Sequence, residues 1–360
     1  MLERRGVVVV LRTVSVLFAA LLLTWLALPS PIGSLAWIPS PAPALDGPFR
    51  TNDELLSAER VYEGKVVGAE DFSFDKDGRP WSGLRDGRIV RFERDGTVTE
   101  MVNTGGRPLG LEHGPDGTLY VADARRGLLR IDIATKQIEV MFDKAEGVSF
   151  HCINDVELAS DGTLYFTDSS AVWGIDQFAE DILDQRPSGR VLKYDPAAGG
   201  EPLVLARDLE FANGLALSTD ETSLFIAETG RYRLWRLWLS GDKKNLKEVV
   251  TENLPGFPDN LQATPRGTVW VALYSTRKRL LDWIHPYPFL KDATASLPNW
   301  LRPEPPQWGF VIEIDANGVP LRSMQDPSGA HIPHVSAAKE HDGFLWIGDL
   351  ESKHVSRLKL

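Results

Sequence analysis

One pattern restricts this chain more than any other. A short turn built on Asp-Gly, followed by an apolar strand, recurs along most of its length. Asp116-Gly117 leads into Leu119-Tyr120-Val121-Ala122-Asp123, Asp161-Gly162 into Leu164-Tyr165-Phe166-Thr167-Asp168, and Asp342-Gly343 into Phe344-Leu345-Trp346-Ile347. Related units run from Ala69-Glu70-Asp71 through Asp77-Gly78, from Asn213-Gly214, and from Asp259-Asn260. Each unit reads as short strands rich in Val, Ile, Leu, Tyr and Trp joined by tight turns, and helical periodicity is nearly absent. One unit alone cannot bury both its faces. Six of them, at a spacing of roughly 40 residues plus insertions, predict an all-β fold, a six-bladed β-propeller.

The last unit stops at Leu360, directly after its third strand. Arg60 to Val67 lies ahead of the first unit and reads as a strand. It is expected to pair with the last blade and remove its open edge. Two insertions break the period. Val172 to Ser188 holds a short helix. Thr276 to Gln307 carries Trp283, His285, Tyr287, Phe289 and Trp300 among prolines, as a lid over the tunnel mouth, a loop packed on its own aromatics, or a contact with a bilayer.

The N-terminus departs from this pattern. Arg4, Arg5 and Arg12 flank an apolar run from Thr13 to Leu28. With Val7 to Leu11 it is close to the roughly 20 residues that a spanning helix needs. A signal anchor is expected, with a cleaved signal peptide as the alternative; no small-x-small site follows Leu28 directly. The flanking arginines place the N-terminus in the cytoplasm and the propeller on the periplasmic, extracellular or luminal side. The expected organisation is an anchor over 1–28, a linker over 29–59 and the propeller over 60–360. A net charge of -11 without a basic stripe argues against a nucleic-acid partner. One cysteine, Cys152, excludes an internal disulfide and a multi-thiolate zinc site.

The chemistry concentrates at the first residue of each inner strand: Glu70, Leu109, Asn154, Asn213 and Asp259-Asn260. Inner strands of a propeller run side by side around the axis, so equivalent positions converge on one rim of the channel. Two carboxylates and three carboxamides then meet. They offer hard oxygen donors without thiolate or imidazole, which selects Ca²⁺. The alternative is that Asn and Asp merely cap turns at strand starts.

These residues, with Gly106-Arg107-Pro108-Leu109-Gly110, Tyr165-Phe166-Thr167-Asp168-Ser169-Ser170, Gly189-Arg190-Val191-Leu192-Lys193-Tyr194, Pro255-Gly256-Phe257-Pro258-Asp259-Asn260 and Glu340-His341-Asp342-Gly343, give the chain a specific likeness. It resembles the strictosidine-synthase-like branch of the gluconolactonase (SMP-30) and paraoxonase propellers, closest in look to single-span anchored members. The resemblance implies a tunnel calcium on Glu70, Asn154, Asn213, Asp259 and Asn260. It also implies a second, structural calcium on Asp71, Asp155 and the carbonyl of Leu111. The implied activity is calcium-dependent hydrolysis of a small-molecule lactone or ester, as in gluconolactonases and arylesterases. The other reading is a non-catalytic anchored propeller that binds a partner or small ligand around a structural calcium.

Two departures bear on mechanism. Leu109 stands where paraoxonases carry the His proposed as general base. The Glu that strictosidine synthase uses for condensation has no match in His334-Val335-Ser336-Ala337-Ala338-Lys339, which argues against alkaloid condensation. Asp259 is therefore the expected general base or nucleophile. His331 and His334 lie near the last inner strand, and His151 and Cys152 precede Asn154.

Overall fold

The Asp-Gly turns work because the aspartate caps what the glycine bends. In the computed structural model, Asp161 Oδ1 accepts from the Thr163 amide at 2.9 Å, and Gly162 takes a φ of 86°. That left-handed conformation is costly for a residue with a Cβ. Gly117 repeats it with a φ of 81°. The structure describes Thr13, Val16, Thr24, Trp25 and residues 29–360.

These turns link six four-stranded antiparallel sheets. The first blade holds β2 (Ser73–Phe74), β3 (Pro80–Gly83), β4 (Arg88–Phe92) and β5 (Val98–Asn103); the second holds β6 (Pro108–His113), β7 (Thr118–Asp123), β8 (Gly127–Asp132) and β9 (Ile138–Phe142). A two-stranded ribbon, β10 (Lys144–Ala145) and β11 (Val148–Ser149), precedes the third blade. That blade contains β12 (Ile153–Leu158), β13 (Leu164–Asp168), β14 (Gly189–Tyr194) and β15 (Leu203–Leu209). The fourth contains β16 (Ala212–Leu217), β17 (Ser223–Glu228), β18 (Arg233–Trp238) and β19 (Lys247–Thr251). The fifth contains β20 (Gly256–Ala263), β21 (Val269–Thr276), β22 (Gly309–Ile314) and β23 (Pro320–Asp326). The sixth contains β24 (Ala337–His341), β25 (Phe344–Gly348) and β26 (Val355–Lys359), with β1 (Glu59–Val61) as its outer strand.

The ring closes as expected, through Glu59 opposite Arg357 and Val61 opposite Val355. The closing strand is shorter than Arg60–Val67. Tyr62 takes a left-handed φ of 58° and Gly64 one of 70°, which breaks the ladder. The remaining residues hold to the last blade's loop instead, Gly64 N donating to the Lys353 carbonyl at 2.8 Å and Gly68 N to that of Ser352 at 2.9 Å.

The apolar core lies between neighbouring blades. Leu119, Val121 and Leu129 of the second blade pack on Trp81 and Ile89 of the first. Trp270 and Val311 of the fifth pack with Ala338, Leu345 and Leu358 of the sixth, and Leu55 and Ala58 join them from ahead of β1. In the stretch expected as a linker, two 3-10 turns form, Gly47–Phe49 and Glu54–Ser57. Asn52 donates to the Ser323 carbonyl at 3.0 Å.

Two compact units share the chain. The propeller comprises Ser40–Ile182, Pro187–Lys278 and Pro305–Leu360. The smaller unit takes in the described residues up to Pro39, with Leu183–Arg186 and Arg279–Glu304. The insertion after β13 contains the expected helix, Phe178–Asp184. The one after β21 forms helices Arg279–Ile284 and Pro288–Ala295, where the sequence suggested only a loop. Within the smaller unit, Trp25 Nε1 donates to the Ala293 carbonyl at 2.7 Å, and Ser34 Oγ to Asp292 at 2.8 Å. His285 is buried, while Trp283, Phe289 and Trp300 are 60%, 61% and 81% exposed. The expected anchor over 1–28 falls almost wholly outside the described residues. Among those described, no helix is long and apolar enough to cross a membrane.

Candidate functional site

The inner strands β6, β12, β16, β20 and β24 adjoin in sequence order. Glycines let them approach. A Cβ on Gly214 of β16 would lie 2.4 Å from the Asn260 Cα on β20, and one on Gly110 of β6 would lie 2.7 Å from the Asp155 Cα on β12. Hydroxyls then latch one blade to the next at the tunnel residues. Thr167 Oγ1 donates to the Asn213 carbonyl at 2.8 Å and Ser336 Oγ to the Glu70 carbonyl at 2.7 Å. Thr229 Oγ1 donates to the Pro258 carbonyl at 2.6 Å. These serines and threonines escaped the sequence reading, because their significance lies in which neighbouring carbonyl they reach.

Glu70, Asn154, Asn213, Asp259 and Asn260 are all buried. The amides of Asn213 and Asn260 turn their nitrogens toward protein acceptors. Asn260 Nδ2 donates to Glu70 Oε1 at 2.7 Å, and Asn213 Nδ2 to Thr229 Oγ1 at 3.1 Å. The Oδ1 atoms of Asn154, Asn213 and Asn260, with Glu70 Oε2, are buried without a hydrogen-bond partner. Leaving four oxygens so costs several kcal/mol in total, at about 1–3 kcal/mol each, unless something binds them. Burial raises the Glu70 carboxyl well above its ordinary value, with Asp259 and Asp71 adding repulsion. Asp259 is raised chiefly by burial too, opposed by a hydrogen bond from Asn213. Two buried carboxylates and three buried amide oxygens without partners suit a hard divalent cation such as Ca²⁺. No cluster of three or more His, Cys, Asp or Glu side chains placed to hold a metal occurs among the described residues, so binding here depends on the amide oxygens.

The other sequence candidates separate. Leu109 is buried with Ala124 and Cys152 in an apolar cluster that Ile175 and Leu350 flank, so its position supplies no base. Burial, with Asp168 next, raises the Cys152 thiol well above its ordinary value, which leaves it unreactive. His151 is exposed. His331 Nε2 lies 2.7 Å from the Ala58 carbonyl, beside the closing strand. His334 stacks on Tyr274 with ring centroids 4.8 Å apart and an interplanar angle of 13°. Tyr274 escaped the sequence reading. Its hydroxyl is raised first by burial and then by Asp349 and Asp259, which places this aromatic pair near the tunnel carboxylates. Phe178 meets Tyr274 edge-on at 6.3 Å. Arg107, itself buried, donates to the Gly68 carbonyl at 3.1 Å, and Glu70 is its foremost electrostatic partner.

The second expected metal set is also assembled, with a different occupant. Asp71 and Asp155 are both buried. Lys339 of β24 sets its Nζ 3.4 Å from Asp71 Oδ2. Asp155 already accepts from the Val156 amide at 2.8 Å and the Leu215 amide at 2.7 Å.

Comparison with known proteins identifies the family and the fold. A family profile described as strictosidine synthase matches residues 154–242, and one described as strictosidine synthase-like, N-terminal, matches residues 47–92. Between them these stretches include Glu70, Asn154 and Asn213. The adipocyte plasma membrane-associated protein of Salmo salar is 34% identical, over 96% of this chain and 88% of its own length. Among solved structures, a gluconolactonase from Xanthomonas campestris superposes with a TM-score of 0.62 at 18% identity, over 91% of this chain and 98% of its own. A calcium-binding protein, regucalcin, from Agrobacterium tumefaciens gives 0.61 at 16% identity, over 83% and 92%.

Proposed function

The chain belongs to the strictosidine synthase-like family that includes the adipocyte plasma membrane-associated proteins, and from that premise we propose that it is a membrane-anchored, calcium-dependent hydrolase of lactones or esters. The observation that carries this reading is the buried set of oxygens without partners on Glu70, Asn154, Asn213 and Asn260, beside Asp259. Structural likeness to a gluconolactonase and to a calcium-binding regucalcin supports the same choice at the level of fold.

The roles follow from position. Glu70, Asn154, Asn213, Asp259 and Asn260 hold the Ca²⁺. When bound, it supplies polarisation of the substrate carbonyl and stabilisation of the negative charge that develops there. Asn260, fixed by its bond to Glu70, and Asn213, fixed by Thr229, keep their oxygens directed inward. Asp259 is the general base or nucleophile. Its burial would strengthen it as a base. Tyr274, stacked with His334, supplies an aromatic wall for the acyl or lactone group.

A second reading is favoured by Leu109. With an apolar cluster where a base is expected, the propeller binds a small ligand or partner and calcium is structural. One experiment separates the two. Metal-stripped protein is titrated with Ca²⁺ by calorimetry, then assayed on aryl esters and lactones with Ca²⁺ or EDTA. The hydrolase turns substrate over only with Ca²⁺, and Glu70→Gln and Asp259→Asn each weaken calcium binding by at least tenfold. Calcium binding without turnover selects the second reading. If wild type binds no calcium, or both variants bind it equally well, the site is a set of turn caps.

Membrane attachment is part of the proposal. The relatives named above are called plasma membrane-associated. In the smaller unit, Trp25, near the end of the apolar run, bonds to helix Pro288–Ala295, and Trp283, Phe289 and Trp300 stand exposed. Aromatic rings favour the bilayer interface.

A further inference from the structure

The tunnel carboxylates continue past the calcium ligands. Asp71 and Asp155, each one residue beyond a proposed ligand, are buried, and Glu112 and Glu157 lie on the same inner strands β6 and β12. The likeness drawn from the sequence implies a second calcium on two of these positions. Here Lys339 crosses from the sixth blade. It is 9% exposed, and its ammonium lies 3.4 Å from Asp71 Oδ2. Asp155, Glu157 and Glu112 act on that ammonium after Asp71, and together the four outweigh the burial that opposes its charge. Calcium needs about 6–8 oxygens at about 2.3–2.6 Å. Asp155 gives both its oxygens to backbone amides, and a fixed positive charge already stands against Asp71. A divalent ion would meet a like charge there.

We propose that Lys339 is a built-in substitute for the second metal ion, a covalently held cation that ties Asp71, at the start of the first blade, to the sixth blade and keeps this position free of calcium. Losing it leaves the buried Asp71 without its counter-charge and takes a cation away from Asp155, Glu157 and Glu112. An uncompensated buried charge is strongly destabilising. The same loss removes the like charge from Asp71, whose two oxygens take no hydrogen bond. Lys339→Met therefore converts a position that rejects calcium into one that requires it. This inference stands apart from the tunnel site, because it predicts a difference in calcium count rather than an absolute number.

The test uses the full chain, stripped of metal, as wild type, Lys339→Met and Lys339→Met/Asp71→Asn. Bound calcium is counted by elemental analysis after equilibration with Ca²⁺, and melting is followed in EDTA and in Ca²⁺. Lys339→Met is expected to bind one calcium more than wild type, to melt at least 10 °C lower in EDTA, and to recover most of that in Ca²⁺. The double variant is expected to melt closer to wild type in EDTA and to lose the added ion. Two calcium ions on wild type overturn the proposal. So does a Lys339→Met protein with unchanged calcium count and unchanged melting in EDTA. If Lys339→Met does not fold in EDTA, the double variant decides: folding there supports charge compensation, and failure overturns it. Wild type with no calcium and Lys339→Met with one would sink the tunnel reading while leaving this one intact.

Discussion

At the level of single residues, buried ionisable groups carry most of the information. His113 is an instructive case away from the tunnel ligands. Its Nδ1 lies 2.8 Å from Ser73 Oγ, its ring meets Trp81 edge-on at 5.0 Å, and Nε2 is buried without a partner. Burial, only partly offset by Asp75, lowers its pKa to about 4. The unfolded chain titrates near about 6.5. As the pH falls below that value the unfolded state takes the proton first, so this stabilisation is complete above about 6.5 and is lost as pH falls through about 4. Urea midpoints measured between pH 8 and 4 should therefore show an acid-side loss on the order of 2 kcal/mol from this group. His113→Gln should flatten that part of the profile and cost little near pH 8. An unchanged slope would mean that His113 takes up its proton in the fold just as it does in the unfolded chain. Glu70, Asp259 and Lys339 were each visible in the sequence as residues. That Glu70 meets Asn260 while Lys339 meets Asp71 depends on packing across the tunnel.

At the level of elements, the closing strand is the sharpest case. The missing outer strand after Val355–Lys359 pointed to an N-terminal partner, and β1 pairs there over Glu59–Val61. So short a strand is a weak staple by its hydrogen bonds alone. Leu55 and Ala58, just ahead of it, sink into the core between the fifth and sixth blades and do more. Truncation to start at Gly68 removes both the strand and the fully buried Leu55. It should cost more than the about 2–5 kcal/mol of a Leu→Ala change alone. Leu55→Ala by itself should fall inside that range. Chemical denaturation of both proteins checks this, and a truncated protein with wild-type stability would dismiss the closure. The sequence placed this element correctly and overestimated its length, because the left-handed turn at Tyr62 is dictated by the last blade's loop and not by Tyr62 itself. The helices Arg279–Ile284 and Pro288–Ala295 went unread for a related reason: both are shorter than the span over which helical periodicity shows, and prolines crowd them.

At the level of the whole molecule, the proposal joins a cation-binding propeller to a membrane. If the apolar run over 1–28 anchors the chain, the full-length protein should stay with membranes through high-salt and alkaline washes and keep its first residues. In vesicles of brominated phosphatidylcholine, tryptophan fluorescence should be quenched, and Trp283→Ser/Trp300→Ser should remove most of that quenching. A processed N-terminus on a freely washed protein would favour the cleaved signal. What the sequence determined by itself was the periodic part: blade number, turn chemistry, and the equivalent ring positions of Glu70, Asn154, Asn213, Asp259 and Asn260, because a repeat carries equivalent positions to equivalent places. What only the tertiary structure decided was contact between positions that no repeat relates. The Tyr274–His334 stack, the Thr229 and Ser336 latches and the Lys339 ammonium beside Asp71 are all of this kind. Periodicity fixes where a residue's backbone lies around the ring, but the reach of a side chain into the next blade depends on packing, which the local sequence does not encode.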